Sequence, residues 1–200
     1  ENGVVIGTAS DKYESRNPIA RYLVNGFDRA IAGTAASCRP SRIVEIGCGE
    51  GHVTKLLLDS TKATLKCYDI SDALLDDARN AVASNRVRFF NCSIYDMEPE
   101  SPPPDLVVCC EVLEHLDDPN KGLEKLASLK AEHYLLSVPR EPVWRVLNFV
   151  RGAYIRDFGN SPGHVQHWSK RGFIRFVRQK FDVVRCLSPI PWTVLLCKPR

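Results

Sequence analysis

A short β-branched run, Arg42 to Ile46, breaks into Gly47-Cys48-Gly49-Glu50-Gly51 and is followed at once by a helix start over Val53 to Leu58. Glycines at such a junction let the backbone turn sharply and approach a ligand closely. The next strand-like run, Ala63 to Ile70, carries Asp69 twenty residues after Gly49. A carboxylate there can accept both hydroxyls of a ribose. Strand, glycine turn, helix, strand and acid together are the layout of an adenosine-type nucleotide site at the switch point of a doubly wound sheet.

The rest of the chain fits that frame. Apolar residues at 19, 23, 24, 27, 30 and 31 predict a helix over about 15–36. Ser71 can cap a helix whose stripe is Leu74, Leu75, Ala78 and Val82. Val87 to Phe90 reads as a strand, and Asp105 to Cys110 as a strand buried on both faces. Leu123, Leu126 and Leu129 mark a helix before a strand over His133 to Val138. This alternation predicts a parallel sheet with helices on both faces. Phe181 to Leu187 and Thr193 to Cys197 are joined by only Ser188-Pro189-Ile190-Pro191-Trp192. A parallel crossover needs a dozen or more residues, so these two strands should pair antiparallel. The fold class is therefore α/β, Rossmann-like and doubly wound, with seven strands, mostly parallel and closed by an antiparallel C-terminal hairpin. Residues 1–200 are read as one domain, within which Pro139 to Trp168 is a long aromatic and basic insert suited to a lid or substrate wall.

Composition narrows the function classes. A net charge of +3 excludes a binder that relies on many phosphate contacts. The eight cysteines form no Cys-x-x-Cys pair and no Cys/His cluster with zinc spacing, so no metal is expected. Most lie in apolar runs, as reduced core thiols of a cytoplasmic protein do. The longest apolar run, Leu106 to Cys110, is far too short to span a membrane. The opening Glu1-Asn2-Gly3-Val4-Val5 lacks the basic and apolar regions of a secretion signal, which supports the same cytoplasmic expectation.

Two ligand classes share the glycine-loop layout. A nicotinamide dinucleotide site wants a third small residue where His52 stands, and its pyrophosphate gains nothing from Glu45 two residues before the first glycine. An acid there suits a ligand bearing an amine or a positive charge.

Glu45-Ile-Gly-Cys-Gly-Glu-Gly51 resembles motif I of class I S-adenosylmethionine-dependent methyltransferases. Asp69 matches their acid after the second strand. Asp105-Leu-Val-Val-Cys-Cys-Glu-Val-Leu-Glu-His-Leu-Asp-Asp-Pro119 is similar to the segment leading from their fourth strand into the next helix. The reversed final strand is also that family's signature. The resemblance covers about 150 residues and is nearest to the small-molecule branch, of methyltransferase type 11/12.

That resemblance implies roles. Gly47, Cys48 and Gly49 would line the methionine moiety of S-adenosylmethionine, with S-adenosylhomocysteine as product. Glu45 would support the amino group, directly or through water. Asp69 would hold the ribose, Ile70 would lie against adenine, and Glu111 would meet the amino-acid end. Tyr13 and Arg16 sit where relatives reach the cofactor carboxylate. Relatives commonly carry Gly-Asp after the third strand, where this chain has Cys92-Ser93. Ser93 can accept a hydrogen bond there, and the Ile94 backbone can donate one to the ring.

A general base helps when the methyl acceptor is a hydroxyl, and His115, His164, His167 and Tyr154 are the candidates. Arg145, Arg151 and Arg156 in the insert could face an anionic acceptor. Lys170, Arg171, Arg175, Arg178 and Lys180 crowd a helix buried through Phe173, Ile174 and Val177, which reads as a solvated face. The expected activity is methyl transfer to oxygen or nitrogen of a small, anionic or aromatic metabolite by a monomer or homodimer. The alternatives are an RNA or protein methyltransferase and a non-catalytic cofactor-binding subunit. Cys110-Glu111-Val112-Leu113 stands where base-methylating enzymes carry Asn/Asp-Pro-Pro-aromatic, which disfavours nucleic acid.

Overall fold

The structure is a computed structural model in which residues 17–144, 147 and 165–200 are described. Tyr13, Arg16, Tyr154 and His164, with Arg145, Arg151 and Arg156, lie outside the described residues.

The chain opens with α1 (Pro18–Cys38), β1 (Arg42–Ile46), α2 (His52–Ser60), β2 (Thr64–Asp69), α3 (Asp72–Ala81) and β3 (Val87–Asn91). It continues with β4 (Leu106–Cys110), α4 (Pro119–Ser128), β5 (His133–Pro139), α5 (Lys170–Val177), β6 (Phe181–Leu187) and β7 (Trp192–Pro199). Single 3-10 turns at Ile94–Asp96 and Leu113–His115 follow β3 and β4.

Local chemistry sets the boundaries. The first helix starts at Pro18, not at 15, because Asn17 Oδ1 accepts from the Ile19 N–H at 2.9 Å and Pro18 occupies the position where a missing N–H costs nothing. It runs on to Cys38, where Arg39 adopts a left-handed conformation (φ 50°) and its N–H returns to Ala36 O. Ser71 and Asp118 cap α3 and α4 through their side chains. The carboxyl end of α2 is closed by Arg86, whose guanidinium donates to the carbonyls of Leu58, Thr61 and Ala63.

The seven strands are ordered β3-β2-β1-β4-β5-β7-β6. Strands β1 to β5 run parallel, and β7 is antiparallel to both its neighbours. The hairpin forms as its short link requires, but the reversed strand lies inside the sheet and leaves β6 at the edge. A bulge between Val183 and Arg185 turns Val184 out to 57% exposure on that edge. Pro139 belongs to β5 and pairs with Trp192.

Every residue of β4 is buried, as expected of a strand covered on both faces. Phe27, Ile31, Leu57 and Leu75 from α1, α2 and α3 cover Leu65, Val108 and Leu135 on one face. Leu123 and Leu126 of α4, with Phe173 and Val177 of α5, cover Val107, Cys109 and Leu136 on the other. On α5 the inward residues are Phe173, Phe176 and Val177, with Ile174 only half-buried, while Arg171, Arg175 and Arg178 are exposed. All eight cysteines are free thiols, and five are buried.

Candidate cofactor and acceptor site

The sheet order reverses direction between β1 and β4, so the loops leaving these neighbours diverge and open a crevice at their carboxyl ends. The predicted cofactor residues that are described collect there. The glycine loop leaves β1, Asp69 and Ile70 end β2, Ser93 and Ile94 follow β3, and Glu111 follows β4.

The glycine loop is pinned from below. Tyr68 O accepts the N–H groups of Gly47 and Cys48 at 2.7 and 3.2 Å. Gly47 (φ 74°) is tied to its residue type twice over, since a Cβ there would also drive into Val112 Cγ2. Gly49 (φ 52°) differs: a Cβ there would meet nothing within 4 Å, so the upper side of the loop is open.

Asp69 holds the loop from the side. Its Oδ2 accepts from Gly49 N–H at 2.8 Å and its Oδ1 from Ser71 N–H at 3.0 Å. Each oxygen keeps a second lone pair for a ligand hydroxyl. The neighbouring Ile70 is 48% exposed, an apolar surface at the level of the loop. Ser93 caps the short turn after β3 by accepting from Tyr95 N–H at 3.3 Å, and Ile94 is buried.

Glu45 sits beneath the loop, 2% exposed. Its Oε2 accepts from Thr54 Oγ1 at 2.6 Å and from the Cys67 thiol at 3.3 Å. Burial raises its pKa to about 7 against those two hydrogen bonds, and the Asp69 charge adds to the rise. Neither Thr54 nor Cys67 stood out in the sequence: a helix threonine and a strand cysteine carry no local pattern.

Glu111 adopts a left-handed backbone (φ 59°), uncommon outside glycine and strained by about 1–2 kcal/mol. Its N–H donates to Ser137 O at 3.1 Å, and its Oε2 accepts from the Trp192 indole N–H at 2.8 Å. Trp192 in turn lies against Phe27 of α1 (4.9 Å between ring centroids) and edge-on to Trp144 (5.7 Å). The sequence contains each of these aromatics, but no spacing rule links positions 27, 111, 144 and 192.

Of the base candidates, His115 ends the turn after β4 and is half-buried. His167 is exposed, with Nδ1 3.8 Å from Glu141 Oε1. The structure brings their two segments together, because the N–H groups of Val165 and Gln166 both donate to Glu114 O at 2.9 Å. The Gln166 side chain also reaches Leu116 O.

Helix α2 begins at His52, whose Nε2 lies 2.9 Å from Asp28 Oδ1. The position where a dinucleotide site keeps its third glycine is thus held by a histidine tied to α1. Asp69 and Glu111 place carboxylates at the crevice, with Glu45 buried below the loop, which favours a ligand carrying positive charge.

A parallel doubly wound sheet with a reversed seventh strand, a glycine loop at its switch point and an acid ending β2 is the arrangement of a nucleoside-cofactor domain. Residues 44–132 match the family model described as methyltransferase domain. The trans-aconitate 2-methyltransferase of Methylobacterium nodulans is 33% identical over 119 residues, 56% of this chain and 45% of that protein. A malonyl-[acyl-carrier protein] O-methyltransferase of Halalkalibacterium halodurans is 35% identical over 107 residues, 50% of this chain and 40% of that protein. The chain therefore spans less than half the length of these curated relatives. The N-methyltransferase NodS of Bradyrhizobium japonicum, solved with S-adenosylhomocysteine, superposes with a TM-score of 0.71 at 16% identity, covering 96% of this chain and 93% of that one. Over residues 44–132 the chain is thus similar to methyltransferase domains, and it shares the fold of the solved S-adenosylhomocysteine complex.

The residues fit the cofactor of that family. The open side of Gly49, the spare lone pairs of Asp69, the exposed Ile70 and the carboxylates at the crevice match a nucleoside that bears a sulfonium and an amino group. No described helix is long and apolar enough to cross a membrane. Among the described residues no cluster of three metal-ligating side chains occurs.

Proposed function

We propose that this chain transfers a methyl group from S-adenosylmethionine to an oxygen or nitrogen of a small-molecule acceptor. The observation that carries the reading is the glycine loop held by Asp69 and open above Gly49, with carboxylates at the crevice. S-adenosylmethionine, when bound, supplies a methyl group on a positively charged sulfur that a lone pair displaces in line. The protein's part is alignment and exclusion of water.

In this reading Asp69 orients the ribose, and Ile70 with Ser93 and Ile94 frames the adenine. Gly47, Cys48 and Gly49 line the methionine portion with backbone. Glu45, from beneath, and Glu111, from β4, set the negative field around its amino group. Tyr13 and Arg16 complete the carboxylate end. His115, His164, His167 or Tyr154 removes the proton when the acceptor is a hydroxyl. Two of the relatives are named for acidic compounds, trans-aconitate and a malonyl thioester, which supports an acidic acceptor. Residues 1–200 act as a single domain, as monomer or homodimer, with about 139–168 covering the acceptor. Eight free thiols support a reducing compartment such as the cytoplasm.

Calorimetric titration with S-adenosylhomocysteine and with NAD tests the cofactor. Micromolar binding of the first and none of the second is expected, and the reverse overturns the reading. Methyl transfer is then followed across small acids, phenols, amines, RNA and protein. Turnover confined to RNA or protein would move the acceptor class. Tight cofactor binding with no turnover on any acceptor would favour a non-catalytic subunit.

A further inference from the structure

We propose that Arg140 holds an acidic group of the methyl acceptor, a carboxylate or a phosphate, at the carboxyl end of β5. The inference rests on the methyl-transfer reading above and adds its specificity determinant. Arg140 is the residue immediately after β5. Its backbone is fixed on both sides: its N–H donates to Pro191 O at 2.8 Å, and its carbonyl accepts from Trp144 N–H at 3.0 Å. Pro191 precedes Trp192, whose indole holds Glu111 at the end of the adjacent strand β4. Arg140 is therefore anchored at the same sheet edge as the cofactor residues, on the strand next to Glu111.

Its side chain is anomalous. The guanidinium Nε is buried and meets no acceptor, and no carboxylate among the described residues lies within ion-pair reach of Arg140. Arg86, by contrast, spends its guanidinium on three backbone carbonyls. The carboxylates near Arg140 are otherwise engaged: Glu111 accepts from Trp192, and Glu141 faces His167. A buried N–H donor without an acceptor costs stability unless a ligand completes it. The planar fork of arginine matches a carboxylate or phosphate with two parallel hydrogen bonds. The rings of Trp144 and Trp192 meet edge-on, and Trp144 and Pro191, the neighbour of Trp192, are the two partners of the Arg140 backbone.

The test titrates the wild-type chain, Arg140→Met and Arg140→Lys at constant ionic strength, following tryptophan fluorescence with and without S-adenosylhomocysteine. The probes are tricarballylate with its trimethyl ester, and glycerol 3-phosphate with glycerol. Saturable binding of at least one anion is expected, with its neutral counterpart inert. Arg140→Met should weaken that binding at least tenfold, and Arg140→Lys should recover part of it. The affinity for S-adenosylhomocysteine should be unchanged in all three proteins. Which anion binds decides between carboxylate and phosphate. Equal binding of the neutral probe, unchanged anion affinity in Arg140→Met, or no saturable anion binding by wild type overturns the proposal. Should Arg140→Met not fold, unchanged affinity in Arg140→Lys overturns it equally. Failure of wild type to bind S-adenosylhomocysteine refutes the cofactor reading alone, because the titration without it still decides Arg140.

Discussion

The two oxygens of Asp69 each accept one backbone N–H, from Gly49 and from Ser71. The carboxylate is thus a brace for the loop as well as a candidate ribose ligand. Asp69→Ala should cost on the order of 1.5–3 kcal/mol in S-adenosylhomocysteine affinity by calorimetry, as for loss of hydrogen bonds to a charged group. Unchanged affinity in a folded variant would remove Asp69 from the site. Glu45 makes a pH argument. Burial raises its pKa to about 7 from the ordinary 4.5, so the folded protein binds a proton there that the unfolded chain has released. Its contribution to stability is therefore full below about 4.5 and is lost as pH rises through 7, by at most roughly 3–4 kcal/mol. Glu45→Gln should flatten that part of the stability profile in urea titrations from pH 4.5 to 8. At this scale the sequence was informative where a residue type does one job at a fixed offset, as Asp69 and the glycines do. It was silent where contact is made across the fold: nothing near Glu45 announces Thr54 or Cys67, nor does Glu111 announce Trp192.

Elements were legible wherever one periodicity dominated. Strand β4 reads as five apolar residues in a row and is buried throughout. The capping residue Ser71 starts its helix as its side chain dictates. Boundaries shifted by a few residues where a proline or a left-handed residue decided them, as at Pro18 and Arg39. The closure of α2 by Arg86 could not be read, because the donor lies 23 to 28 residues from its acceptors. Arg86→Met should strip three carbonyls of a charged donor and destabilise the fold by about 1.5–3 kcal/mol in denaturant unfolding. At the turn between β1 and α2, Gly47→Ala should abolish cofactor binding. Adding Val112→Ala should not restore it, because relieving the clash leaves the positive φ in place. Recovery of binding in the double variant would show that the clash alone matters.

For the whole molecule, alternation pointed to a mostly parallel doubly wound sheet and one short link to its antiparallel hairpin, while the order β3-β2-β1-β4-β5-β7-β6 is read from the structure. The pairing that a short link forces on β6 and β7 does not say which of them meets β5; packing of Trp192 against Phe27 and Trp144 accompanies that choice. A ligand that binds only the folded domain must stabilise all of it. S-adenosylhomocysteine at about a hundred times its dissociation constant should raise the melting temperature by roughly 5–10 °C, with NAD leaving it unchanged. Scanning fluorimetry would show it.

The reversed strand also bears on biosynthesis. Strand β5 is complete at Pro139, but its partner β7 does not begin until Trp192. At roughly 5–20 residues per second, a ribosome exposes β5 as an open edge for roughly 3–10 s before the strand that seals it has been made. Its apolar Tyr134, Leu135, Leu136 and Val138 are then available to any neighbouring chain. The nascent protein thus passes through a window in which it needs shelter, and translation speed across the segment between β5 and β7 sets how long that window lasts.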